Sequence, residues 1–187
     1  MDIIPVELLT LIATDTFDIF VTLLRVPVIG TRLCEWYPQL IARGRFISIV
    51  ETNNGKFTYL NNQLHSFNDR PAVEYASGKK QWYKYGQLHR RDLHAVEWVG
   101  GTKDWYWNDK QHRGDDLPAT IYTNGSKEWY WHGEPHREND QPAVIYANGT
   151  KQWHWHGKLR RANNLPVIET ADGTKYIRRG GDIIQQT

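Results

Sequence analysis

The stretch HGEPHRENDQPAVIYANGTKQWHWHGK, residues 132–158, holds one full period of a pattern that fills most of the chain. Pro142 stands seven residues before Gly149, and Trp153 follows four residues after that glycine. The same spacing recurs at Pro71–Gly78–Trp82, His94–Gly101–Trp105 and Pro118–Gly125–Trp129, while Pro166–Gly173 leads to Ile177 instead. Five copies with a period of 23 or 24 residues occupy roughly residues 59–177. A repeat of this length fixes architecture before any other signal does, because each copy is one supersecondary unit that buries its apolar surface on its neighbours.

Each copy reads as a β-hairpin. The turn dipeptides SG, GG, NG, NG and DG accept positive φ at low cost, as a two-residue type I′ loop requires. A turn at Asn148-Gly149 would pair Ile145 with Gln152 and Val144 with Trp153, placing Val144, Tyr146, Lys151 and Trp153 on one face. The same register pairs Val73 with Trp82, Val96 with Trp105, Thr120 with Trp129 and Ile168 with Ile177, so these rings are expected to be packing partners. The other face carries Glu74, Glu97, Ile121, Ile145 and Glu169 and should be the wetter one. A second tight turn is expected at Asn61-Asn62, Tyr85-Gly86, Asn108-Asp109, His132-Gly133 and His156-Gly157, each with a residue suited to left-handed backbone in its second slot. Asp115-Asp116 reads as a turn between copies.

Two functional readings arise from the aromatic and histidine content. His65, His89, His112 and His136 form a column that Arg160 continues, but equivalent positions two strands apart lie about 10 Å from one another, too far to share an ion. The column is therefore expected to be structural, with no metal and no cofactor. Trp107, Trp131 and Trp155, two residues beyond the first set, are candidates for a more open surface that binds a client, together with Arg113 and Arg137. Stacking of single-stranded nucleic acid on those rings is a weaker alternative.

Composition narrows the classes. The 187 residues include 9 Trp and 10 Tyr against 5 Phe, which suits half-wet β surfaces better than a deep core. A formal charge of +2 is too small to imply nucleic acid or a membrane surface. Cys34 is the single cysteine, which excludes an internal disulfide and fits a reducing, intracellular setting. Glu7, Asp15, Asp18 and Arg25 interrupt the apolar N-terminus, so no membrane span or signal peptide is expected. No nucleophile–base grouping or phosphate-binding glycine loop is present, and the chain is read as non-enzymatic.

The repeats resemble the MORN type in a variant form, with Gly, Pro, Trp and turn positions recurring in phase. That resemblance implies successive antiparallel hairpins in an elongated, twisted sheet about 50 Å long, serving as a scaffold or binding surface. The second copy departs by being one residue short, with His94 in the proline position, and IRRGGDII at 177–184 looks like a degenerate closing half-repeat.

Residues 1–50 have a different composition, with one of the nine tryptophans and none of the histidines, so a module boundary is expected near the turn-like NNG at residues 53–55. The repeat array would then run over residues 57–187. Pro5 with Leu8, Leu9 and Ile12 at helical spacing predicts a first short helix, and Thr16 is the expected N-cap of a second carrying Leu23, Leu24 and Val26. A third is expected within Arg32–Arg43. The fold class is thus mainly β, with a small α-helical N-terminal module.

The segment through Ile4-Pro5, Glu7, Leu8-Leu9, Ile12, Asp18, Leu23-Leu24 and Val26 resembles an F-box. The resemblance implies that Pro5, Leu8, Leu9, Ile12 and Leu23 contact a Skp-type adaptor of a cullin-RING ubiquitin ligase, while the repeats present a protein client. After the valine the chain departs from the F-box pattern, with Pro27-Val28-Ile29 in place of a polar, basic continuation. The alternative is a structural scaffold or virion component whose N-terminal helices cap the first hairpin or self-associate. An F-box-like head on variant MORN repeats resembles an arrangement in large DNA viruses of amoebae, which implies residence in the host cytoplasm or in a virion.

Overall fold

The computed structural model describes residues 9–12, 19–25 and 45–186, with side chains from residue 47 onward. Two compact units divide the chain, Met1–Leu88 and His89–Thr187. In the first, β1 (Leu9–Ile12) pairs antiparallel with β2 (Ile19–Arg25), and β2 runs parallel to β3 (Arg45–Thr52). A turn at Asn53-Asn54 leads into β4 (Gly55–Leu60), which pairs with β3, with β5 (Gln63–Leu64) and with β6 (Val73–Tyr75). The hairpin of the first copy is closed by β7 (Lys80–Gln81), and β8 (Tyr83–Lys84) with β9 (Gln87–Leu88) forms a separate small ladder.

The expected helices are corrected where the chain is described. Leu9, Ile12 and Leu23 lie in strands, and Leu9 pairs with Leu23. The physical reason is local: Ile19-Phe20-Val21-Thr22 is a β-branched and aromatic run, which loses side-chain freedom in a helix and fits a pleated surface. Seven consecutive register pairs from Ile19–Arg45 to Arg25–Glu51 then satisfy its backbone. Pro5, Leu8, Thr16 and the third expected helix lie outside the described residues.

The second unit repeats one hairpin. Val96–Glu97 pairs with Lys103–Asp104, Thr120–Ile121 with Lys127–Glu128, Val144–Ile145 with Lys151–Gln152 and Ile168–Glu169 with Lys175–Arg179. The second strand of each hairpin pairs with the first of the next, so antiparallel pairing is continuous. Asp182–Gln185 folds back on Lys175–Arg179, giving the closing half-repeat a strand of its own. This is a mainly β, repeat-like antiparallel sheet.

Its register differs by one residue from the expected one. Val144 faces Gln152 rather than Trp153, and the same correction holds for Val73 with Gln81, Val96 with Asp104, Thr120 with Glu128 and Ile168 with Tyr176. The loop is the cause. Tyr146 N donates to Thr150 O at 2.9 Å and Gly149 N to Tyr146 O at 2.9 Å, enclosing three residues rather than two. Of these only Gly149 has positive φ, 91°, and Asn148 Oδ1 accepts the Thr150 N–H at 2.9 Å in an Asx turn. That is a type I turn closed by a left-handed glycine.

A one-residue slip exchanges the faces. Lys151 therefore joins Ile145 on the outer face, and in the second unit the buried face is lined by Val96, Thr120 and Val144; Val73 is buried at the equivalent position of the first. Ala95, Ala119 and Ala143 are fully buried beside them. Trp82, Trp105, Trp129 and Trp153 are buried as expected, yet they sit just past the ladder, where the chain leaves the sheet. The type I′ turns occur instead in the small hairpins: both central residues have positive φ at all five positions read from sequence, from Asn61-Asn62 to His156-Gly157.

Among the described residues of the first unit, Gly55 is the tightest glycine. At φ 145° a side-chain Cβ there would run into the carbonyl oxygen of Glu74. Gly55→Ala is expected to lower the unfolding free energy by about 2 kcal/mol or more in urea denaturation, while Gly149→Ala, with open space around it, should cost about 1 kcal/mol for the backbone alone.

Candidate functional site

Each small hairpin begins directly after a buried tryptophan and turns the next aromatic outward. Tyr106–Trp107 pairs with Lys110–Gln111, Tyr130–Trp131 with Glu134–Pro135 and His154–Trp155 with Lys158–Leu159. Trp107, Trp131 and Trp155 are 41, 47 and 44 % exposed, and Trp98, outside the small hairpins, is open to the same degree. Trp153 and Trp155 do not share an environment, because one ends the main hairpin inside the core and the other starts a separate ladder.

Histidines fix these rings. Trp107 meets His89 with ring centroids 4.4 Å apart, Trp131 meets His112 at 4.5 Å, and Trp155 meets His136 at 4.5 Å. His112 also stacks on His132 at 4.6 Å, and His136 on His156 at 4.3 Å. The column supports its neighbours by hydrogen bonds as well. His112 Nδ1 accepts the N–H of His132 at 3.3 Å, His136 Nδ1 accepts that of His156 at 3.3 Å, and His65 Nδ1 accepts that of Tyr85 at 3.2 Å. Each acceptor thus holds the first left-handed residue of the next small turn, a conformation that costs a non-glycine residue about 1–2 kcal/mol. The arrangement requires a neutral ring protonated on Nε2, and at His136 that nitrogen faces Glu138 Oε1 at 3.0 Å.

The arginines are corrected. Arg113 and Arg137 do not join the exposed row; their guanidinium carbons lie 3.9 Å over the rings of the buried Trp105 and Trp129. Arg137 also forks onto Asp116, with Nε–Oδ1 at 2.7 Å and Nη2–Oδ2 at 2.8 Å, and donates to Pro142 O at 3.4 Å. Arg161 repeats the arrangement on Trp153, Asp140 and Pro166. The Asp116 carboxyl is held below its ordinary range by the Arg137 hydrogen bond, and Asp140 likewise by Arg161. Sequence reading missed this clamp because its partners stand 21 residues apart in adjacent copies.

The short second copy differs where expected. Asp115-Asp116 and Asn139-Asp140 take left-handed turns, which let the Asp116 and Asp140 carbonyls accept the indole N–H of Trp129 and Trp153 at 2.9 Å. The loop at residues 91–93 has no positive φ, and Trp105 Nε1 is buried without a hydrogen-bond partner. His94, in the proline position, stands edge-on to the Trp105 ring at 5.7 Å.

Of the residues implied by the F-box resemblance, Leu9, Ile12 and Leu23 lie in β1 and β2, and Pro5 and Leu8 lie outside the described residues. Among the described residues no group of three or more His, Cys, Asp or Glu side chains could hold a metal ion, and no helix is long and apolar enough to cross a membrane. No protein-family model, curated protein or solved structure matches the chain. The MORN-type and F-box likenesses therefore remain resemblances of sequence pattern.

The histidines give the fold a pH dependence. Burial lowers the pKa of His94, His112 and His154 below 6.5, with the neighbouring His132 adding to the shift at His112 and Glu97 opposing it at His94. A depressed folded value means the unfolded chain takes up protons first, so this stability is complete above pH 6.5 and lost as pH falls through the folded values. The urea midpoint should hold steady from pH 8 to 7 and drop between pH 6.5 and 5, and His112→Gln should flatten that drop.

Proposed function

We propose that the chain is a non-enzymatic protein-interaction module whose row of Trp107, Trp131 and Trp155 receives a protein client. The observation that carries this reading is the contrast between two sets of tryptophans. Trp105, Trp129 and Trp153 are buried under arginine, while Trp107, Trp131 and Trp155 are exposed, recur at the repeat period and are held by histidines. Large aromatic rings fixed at a surface are what binding hot spots are made of. Nucleic acid is disfavoured because Arg113 and Arg137 are engaged on the rings of Trp105 and Trp129, leaving Lys110, Glu134 and Lys158 as a mixed-charge margin opposite the exposed rings.

For the N-terminal segment the cap reading is better supported than the adaptor reading. An F-box presents a helical apolar stripe, whereas Leu9, Ile12 and Leu23 belong to paired strands, and β2 covers an edge of β3 that would otherwise be open to association. Recruitment of a Skp-type adaptor rests on the resemblance alone. Saturable binding of a eukaryotic Skp adaptor, abolished by Leu8→Asp, would restore it.

The client reading is tested by panning a random peptide library, displayed on phage, against the wild-type chain and the Trp131→Ala variant. Enrichment of peptides that bind the wild type at least about tenfold better than the folded variant is expected. Absence of any Trp131-dependent peptide would contradict the reading.

A further inference from the structure

The exposed row has a period, and the period constrains what can lie on it. Successive copies advance by two strands, about 9.6 Å of backbone, and the small hairpins that carry Trp107, Trp131 and Trp155 keep that step through Gly133 N to Gln111 O at 2.8 Å and Gly157 N to Pro135 O at 3.0 Å. A polyproline II helix advances about 9.3 Å in its three-residue turn and brings every third residue back to the same side. An extended β-strand covers a similar distance in three residues, but its side chains alternate, so every third residue faces the opposite way. An α-helix returns a residue to the same face every seven positions, at about 10.5 Å, and overshoots the row by about 0.9 Å at each copy. The ligand conformation whose equivalent residues match the step most closely is polyproline II.

We propose that Trp107, Trp131 and Trp155 bind a proline-rich segment in the polyproline II conformation, with proline at every third position and one proline per indole. This rests on the reading of the row as the client-binding face. Both partners are preorganised. The indoles are braced by His89, His112 and His136, and His132 meets Trp131 edge-on at 5.1 Å, as His156 meets Trp155 at 5.3 Å. A proline-rich segment has little conformational freedom left to lose on binding, and proline rings pack well on aromatic faces. Lys110, Glu134 and Lys158, cross-strand to the three indoles, give the row a charge pattern of plus, minus, plus. The residues between the prolines are accordingly expected to carry acidic groups near both ends and a basic group near the middle.

The test is a titration of the full chain with a fluorescently labelled synthetic peptide of about nine residues bearing proline at every third position, followed by anisotropy. A peptide of the same composition with its prolines adjacent and an oligothymidylate serve as comparisons. Saturable binding of the periodic peptide is expected, weakened at least about tenfold by permuting the prolines or by Trp131→Ala and largely retained in Trp131→Phe. Equal binding of the permuted peptide, preferential binding of the oligothymidylate, or no binding by a chain with native circular dichroism would overturn the proposal. Peptides selected on Trp131 but lacking the proline period would leave the client reading standing and remove this one. Failure of both experiments would remove both.

Discussion

A tryptophan indole held between an arginine and a backbone carbonyl is the interaction on which the repeat depends. Trp129 is bonded in three directions: its ring lies under Arg137, its Nε1 donates to Asp116 O, and its main-chain N–H donates to Ala143 O of the next copy at 2.8 Å. Arg137 then reaches the Asp116 carboxylate and the Pro142 carbonyl, so one side chain ties the loop between copies to the ladder on either side. A lysine could reach one of these groups but could not stack on the ring and fork onto the carboxylate together. Ala119, Ala143 and Val167, whose carbonyls accept the main-chain N–H of Trp105, Trp129 and Trp153 from the preceding copy, are buried where that chain lies against them.

This anchor also produces the surface. Once Trp129 has left the ladder, the chain has two residues before the left-handed turn at His132-Gly133, and alternation along that short strand sends Trp131 outward. His112 from the preceding copy holds the turn through its Nδ1 and braces the exposed ring, so one histidine serves the backbone and the row alike. The nearest-neighbour bonds that stabilise the array thus also set the period of its exposed aromatics.

Much of the repeat was legible in the sequence because its turns need backbone that few residues accept. Glycine, asparagine and aspartate at fixed offsets mark the left-handed positions, and tryptophans at a constant distance mark the buried set. The register was not legible. Asn148-Gly149 suits both a two-residue type I′ loop and a three-residue loop ending in glycine, and what separates them, the backbone bond of Tyr146 to Thr150 and the Asx bond accepted by Asn148, has no signature in the dipeptide itself. The N-terminal strands were misread because short apolar runs do not separate helix from strand by periodicity, and the parallel pairing of β2 with β3 lies outside local pattern. The roles of Arg113 and Arg137 were hidden because a charge on a polar stretch carries no sign of the ring it will cover.

The second copy supplies an internal control for the anchor. Trp105 and Trp129 are each 7 % exposed and each lie 3.9 Å beneath an arginine, but only Trp129 has a partner for its indole N–H. Substitution of each by phenylalanine removes the same atoms, and the largest difference between the two sites is the indole bond to Asp116 together with the loop geometry that supplies it. Urea denaturation of Trp105→Phe and Trp129→Phe should show the Trp129 variant less stable by about 1 kcal/mol or more. Equal losses, or a greater loss at Trp105, would contradict the account of the indole as the hydrogen-bonded anchor of the repeat.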